Sequence, residues 1–234
     1  PYLSRGLGDV YKRQEEDKSD ALARREDLYN ILEAAERRIA VSAAFQRVCS
    51  AAGIQDVEVK ENKFQSMSSN HRSKRKERSR NMPIQICHIG GMSMHKGYQL
   101  LRQAVKSMQS GLNLEFTVVD HRLRSRGDEY KANWNGYKVH FIAPIPMDKM
   151  DLFYASQDVL VAPSIWPESF GLVTREALSA GLWVIASDSG ALAEPLLNCD
   201  SPHGKVIRPN SVEDLSQALR AVSYTHLRAH ETDT

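Results

Sequence analysis

Residues 158–186 read as an apolar strand, a turn, a helix and a second apolar strand, and no other stretch narrows the fold so far. The strand D-V-L-V-A closes at Ala162, and Pro163 and Pro167 turn the chain. A helix is expected from Ser169 to Ala180, and a second strand, 182–186, follows Gly181. Two consecutive strands joined through a helix form a βαβ unit with parallel strands. Ligands of such sheets sit where strand C-terminal ends meet helix N-termini. Glu168 stands just before the expected helix, with the N–H groups of Phe170, Gly171 and Leu172 behind it. Glu176 lies eight positions on, which at 100° per residue returns to within about 80° of the start. Both carboxylates are therefore expected to border one cleft.

The same alternation continues on both sides. Strands are expected at 84–89, 114–119, 137–142 and 205–207, and helices at 96–108, 147–155, 192–196 and 212–221. Ser211 with Asp214 makes a capping box for the last helix. Repeated βα units at this spacing predict an α/β fold with a Rossmann-like, doubly wound parallel sheet. After the first strand comes I-G-G-M-S-M-H-K-G, residues 89–97. Gly90 and Gly91 let the backbone approach a ligand closely, and the loop feeds a helix start with Lys96 beside it. Free N–H groups and a mobile cation suit a diphosphate. The loop is neither a Walker loop nor a G-x-G-x-x-G fingerprint, so kinase and dehydrogenase readings fail at their motifs.

The spacing P-E-S-F-G-L-V-x-x-E-A, followed by Ala180-Gly181 and an apolar strand, resembles the donor-binding signature of retaining glycosyltransferases of the GT-B fold, group 1 type. The loop at 89–97 is similar to that family's G-R-L-x-x-x-K-G loop, with Gly91 at the usual arginine position. The resemblance implies a nucleotide-diphosphate sugar as donor substrate, no further cofactor and no metal, and transfer with retention to a saccharide or lipid-linked acceptor. It assigns Glu168 and Lys96 as catalytic. It assigns Gly90, Gly91, Lys96, Ser169, Phe170, Gly171, Leu172 and Glu176 to donor binding, with Glu176 on the ribose and Glu168 on the sugar. Competing readings are another GT-B enzyme, such as an epimerase or phosphorylase, and a non-catalytic sugar-nucleotide binder. Asp120 to Arg124 is read as a solvated basic loop, and His88, His140 and His203 as structural.

Upstream, a polar helix is expected over 20–38, a short strand over 39–42, a helix over 43–52 and a strand near 57–59. This succession resembles the end of the family's acceptor domain, with Lys63 where a glycine is usual. Residues 65–82 carry Arg72, Lys74, Arg75, Lys76, Arg78 and Arg80 without an interleaved aromatic, as a solvated linker would. A peripheral contact with anionic lipid is the second expectation for this run. The net charge of the 234-residue chain is +2, so no nucleic-acid partner is expected. Cys49, Cys87 and Cys199 lack metal-ligand spacing, no apolar run approaches the ~20 residues of a span, and no signal peptide is visible. A cytoplasmic site, at or near the membrane face, is expected.

The two ends read as foreign. A DNA string encoding V-S-Y-T-H-L-R-A-H-E-T, residues 222–232, has a reverse complement that encodes S-R-G-L-G-D-V-Y-K-R, residues 4–13. One short element resembling a sequencing-library adaptor accounts for both. The expected organisation is an adaptor-derived tail at 1–14 and an acceptor-domain remnant at 15–64. A basic linker at 65–82, a donor domain at 83–221 and a second tail at 222–234 complete it. Such a fragment is expected to be inactive alone.

Overall fold

The computed structural model describes residues 7–63, 82–197 and 203–229, with side chains over 18–63, 82–197 and 203–222. The basic run at 72–80, Cys199 and the outermost residues of both expected tails lie outside the described residues. The chain divides into two compact units, Pro1–Glu61 and Asn62–Thr234. Among the described residues, no helix is long and apolar enough to cross a membrane.

The first unit holds helix α1 (Leu7–Ala34), strand β1 (Arg38–Ala40), helix α2 (Ala43–Ala51) and strand β2 (Val57–Val59). The two strands pair in parallel, Ile39 opposite Glu58. Helix α1 begins well before the expected position and ends earlier, at Ala34. The Arg38 guanidinium donates to the Leu32 and Glu33 carbonyls at 2.6 and 3.1 Å, satisfying acceptors that a helix end leaves open. The strand stops at Ala40 because Ser42 takes the N-cap of α2, its hydroxyl accepting the Phe45 N–H at 3.0 Å.

The second unit is built on seven strands: β3 (Ile84–His88), β4 (Leu114–Val119), β5 (Tyr130–Trp134), β6 (Tyr137–Ile142), β7 (Val159–Ala162), β8 (Trp183–Ser187) and β9 (Gly204–Ile207). Their spatial order is β5-β6-β4-β3-β7-β8-β9. All pairs are parallel except β5 with β6, which form a hairpin. Helices α3 (Tyr98–Ser107), α4 (Met150–Ala155), α5 (Leu172–Ser179), α6 (Glu194–Leu197) and α7 (Val212–Ala229) connect or follow the strands.

Alternation along the strands produces the two layers. Ile86, Val159, Val161 and Ile185 face a core with Leu101 and Val105 of α3 and Leu215 and Leu219 of α7. Their neighbours Cys87, Leu160, Ala162, Val184 and Ala186 face a second core with Tyr154 of α4 and Ala177 of α5. Period-two burial on both faces is what a doubly wound sheet requires. The α/β architecture and its mainly parallel sheet are as the sequence predicts. The six parallel strands follow the order third-second-first-fourth-fifth-sixth, so the chain reverses direction across the sheet between β3 and β7.

Several boundaries differ. Strand β5 was not expected. Helix α3 starts at Tyr98 because Gly97 is left-handed at φ 78, and α5 starts at Leu172 because Gly171 is left-handed at φ 71. The helix expected over 147–155 opens as a 3-10 turn, Met147–Lys149, before α4. Helix α7 continues to Ala229, so no break marks the expected edge of the tail at 222.

Candidate functional site at the switch point of the sheet

The loops leaving β3 and β7, residues 89–97 and 163–171, flank the switch point and are bound to each other. The Ile165 N–H donates to the His95 carbonyl at 2.8 Å, and the His95 and Trp166 rings lie 5.9 Å apart. Gly97 is needed here: a Cβ on it would stand 1.9 Å from the Pro163 carbonyl oxygen. His88, at the end of β3, touches both sides, with Nδ1 3.1 Å from the Val161 carbonyl oxygen and Nε2 3.0 Å from that of Gly91.

Lys96 Nζ donates to Glu168 Oε1, an ion pair joining the two loops. The same oxygen accepts the Ser164 hydroxyl at 2.9 Å. Side-chain exposures of 34% for Lys96 and 20% for Glu168 leave the pair half-buried but open to a ligand. The Glu168 backbone is fixed independently. Its N–H donates to the Ser189 carbonyl at 3.3 Å, its carbonyl accepts the Ala191 N–H at 2.8 Å, and it bridges to Gly190.

That bridge corrects the helical-wheel expectation. Glu168 lies outside α5, in extended backbone, so eight helical positions do not relate it to Glu176. Glu176 has its own partner: the Tyr154 hydroxyl donates to its Oε2 at 2.9 Å. Burial, then the Glu176 charge, pushes the Tyr154 phenol well above its usual range, so it remains a donor. Of the other expected residues, Ser169 is exposed, Phe170 is buried, Gly171 is the left-handed N-cap of α5, and Leu172 is its exposed first residue.

Arg175 was not singled out by sequence reasoning. It is buried behind the start of α5, its guanidinium donating to the Phe170 carbonyl, lying 4.0 Å from the Phe170 ring centroid and pairing with Glu194 at 3.3 Å. It holds the turn 169–171 from beneath. No sequence signal separated it from a surface helix arginine.

Gly90, Gly91 and Lys96 line a cavity of about 640 Å³ with Tyr98, His121 and Arg122. The loop after β4 is therefore not simply solvated. Asp120 is buried, and both its carboxylate oxygens are bound by Arg122, which holds its carboxyl below the usual range. Gly91 sits at φ 66, and a Cβ there would be 2.5 Å from the His121 ring. A side chain at position 91 would therefore force the exposed His121 ring to turn away, besides straining the left-handed backbone. A second cavity, about 660 Å³ between β9 and α7, contains none of the expected residues. The convergent charges favour the first. Among the described residues, no three His, Cys, Asp or Glu side chains gather as a metal-ligand set.

A family model described as "Glycosyl transferases group 1" matches residues 69–227, more than half of the chain. The sulfoquinovosyl transferase of Arabidopsis thaliana is 28% identical over 143 residues, which are 58% of this chain and 26% of that protein. A D-inositol 3-phosphate glycosyltransferase of Corynebacterium aurimucosum is 35% identical over 81 residues, 35% of this chain and 18% of that protein. The crystal structure of Anabaena HepE in complex with UDP-glucose superposes with a TM-score of 0.60 at 23% identity, covering 84% of this chain and 55% of that one. The chain thus spans about a quarter or less of these curated relatives, and about half of the solved structure.

Proposed function

Because the chain belongs to the glycosyl transferases group 1 family, we propose that residues 83–221 bind a nucleotide-diphosphate sugar, and that the whole protein transfers the sugar with retention to a saccharide or lipid-linked acceptor. The observation that carries this reading is the Lys96–Glu168 ion pair across the switch point. An arriving diphosphate competes with the carboxylate for the ammonium. Lys96 turns to phosphate oxygens, while Glu168 keeps the Ser164 hydroxyl and offers its vacated oxygen to sugar hydroxyls. At the start of α5 the first N–H groups have no intrahelical acceptor and carry the positive end of the helix dipole. Those of Gly171 and Leu172 complete the diphosphate site. As the bond from sugar to diphosphate breaks, negative charge grows on the leaving oxygen, and Lys96 with these N–H groups takes it up. Glu168 stands by the positive charge developing on the sugar, and Glu176 accepts from the ribose hydroxyls. No other cofactor is called for. The UDP-glucose bound by Anabaena HepE and the sugar transfer in the relatives' names support the donor class.

Calorimetric titration of the 234-residue chain with UDP, GDP, ADP and their sugar conjugates tests the reading. One nucleotide series should bind saturably. Lys96→Ala should weaken it by ~10- to 100-fold, the scale of one charge-assisted hydrogen bond. No binding by a chain shown to be folded, or binding indifferent to Lys96→Ala, would defeat the assignment.

A further inference from the structure

His88 is a buried side chain with one proton too few for its surroundings. It is 2% exposed, and each ring nitrogen faces a carbonyl oxygen at hydrogen-bond distance, that of Val161 on one side and that of Gly91 on the other. Neutral imidazole has one N–H and can donate to only one of them. Its other nitrogen then turns a lone pair towards a second lone pair, in a place water does not reach. Imidazolium would donate to both. Burial holds that second proton off, and the neighbouring Lys96 ammonium and His121 ring add to it, so the group lies below the usual histidine range. Lys96 comes from the loop His88 supports, His121 from the segment after β4, and β7 presents the Val161 carbonyl. Of the described carboxylates on the flanking loops, Glu168 is engaged with Lys96 and Asp120 with Arg122. The loop wraps the ring closely: a Cβ on Gly90 would stand 2.9 Å from His88 Cε1.

We propose that His88 is a positioning residue that takes up a proton from solvent when an anionic ligand enters the 89–97 loop, and so ties the Gly91 carbonyl to β7 in the bound state. The inference rests on the donor-site reading above. A diphosphate paired with Lys96 brings negative charge to the loop and offsets one of the two effects that keep the imidazole neutral. The remaining demand, two carbonyls for one ring, is then met by the second N–H. Ligand charge at the loop surface is converted into a firmer attachment beneath it.

UDP-glucose, GDP-mannose and ADP-glucose are suitable probes, because a diphosphate esterified at both ends has no proton to release near neutrality. Each is titrated calorimetrically at pH 7 in two buffers of different ionisation heat. Binding should draw up to one proton per nucleotide from the buffer, seen as a buffer-dependent enthalpy. His88→Gln, whose amide can donate to one carbonyl but cannot titrate, should bind more weakly and lose the buffer dependence. His121→Asn should keep it. Nitrogen-15 spectra of the unsubstituted chain should show one protonated ring nitrogen at His88 without ligand and two with it, a readout that does not depend on the variant folding. Binding without proton uptake, or uptake unchanged in His88→Gln, overturns the inference and leaves the donor site standing. No binding of any probe by the folded chain overturns both.

Discussion

Tyr154 is core over its ring and polar only at its tip, where the hydroxyl donates to Glu176 Oε2. It fixes one carboxylate oxygen and leaves the other for a ligand, acting on the proposed ribose contact through Glu176. Tyr154→Phe should cost about 1 kcal/mol of stability, read as a lowered melting temperature. It should weaken binding of the ribonucleotide several-fold while leaving the 2′,3′-dideoxy analogue nearly unaffected; equal losses on both would make the tyrosine merely structural. Glu168 and Glu176 stand out in the sequence because they sit in register in the P-E-S-F-G-L-V-x-x-E-A pattern, and Lys96 because it closes a glycine-rich loop at a helix start. Tyr154 did not, since an aromatic in a short amphipathic helix looks like any core residue. The relation between the two glutamates was misread for a different reason. The pairing of Glu168 with Gly190 keeps residue 168 extended, and such long-range pairing leaves no local mark.

The elements themselves were largely legible, because apolar runs separated by amphipathic helices determine a parallel sheet whichever residues fill them. The exception is β5. Its sequence, Y-K-A-N-W, is polar enough for an edge strand, and only the Asn135-Gly136 turn, at φ 53 and 92, announces the hairpin. Helix starts were misplaced where left-handed glycines stand, and those glycines are unequal. Gly111, at φ 115, has open space around its missing Cβ, whereas Gly97 has a carbonyl oxygen there. Gly111→Ala should cost only the backbone strain, about 1–2 kcal/mol. Gly97→Ala must also part the two loops and should cost more than about 3 kcal/mol. Denaturant unfolding of the two variants side by side checks the difference; equal costs would mean that the contact with Pro163 yields easily.

For the molecule as a whole, the strand order was the part the sequence did not reveal, because it depends on which strands meet across long connections. Several carboxylates distributed over the second unit share one electrostatic property. Asp120 is held low by Arg122, Glu115 by Gln85 and Lys138, and Asp214 by Arg208. Each is depressed in the folded state, so each contributes stability that is complete above the ordinary carboxylate range and lost as pH falls through and below about 4. The melting temperature should therefore hold a plateau near neutrality, decline below about pH 6.5, where the unfolded chain takes up a proton that buried His88 resists, and drop further below about pH 5. Asp120→Asn should lower the plateau and flatten the drop, and an unchanged pH profile would exclude Asp120 as a contributor. The anchoring of Glu168 on both sides by Ser189 and Ala191 has a consequence for time rather than energy. With its backbone clamped, the exchange of Lys96 for a sugar hydroxyl proposed above is a turn about side-chain bonds and not a loop motion, which belongs to slower times. On the proposed reading, ligand capture at Glu168 then requires no rearrangement of this stretch of backbone.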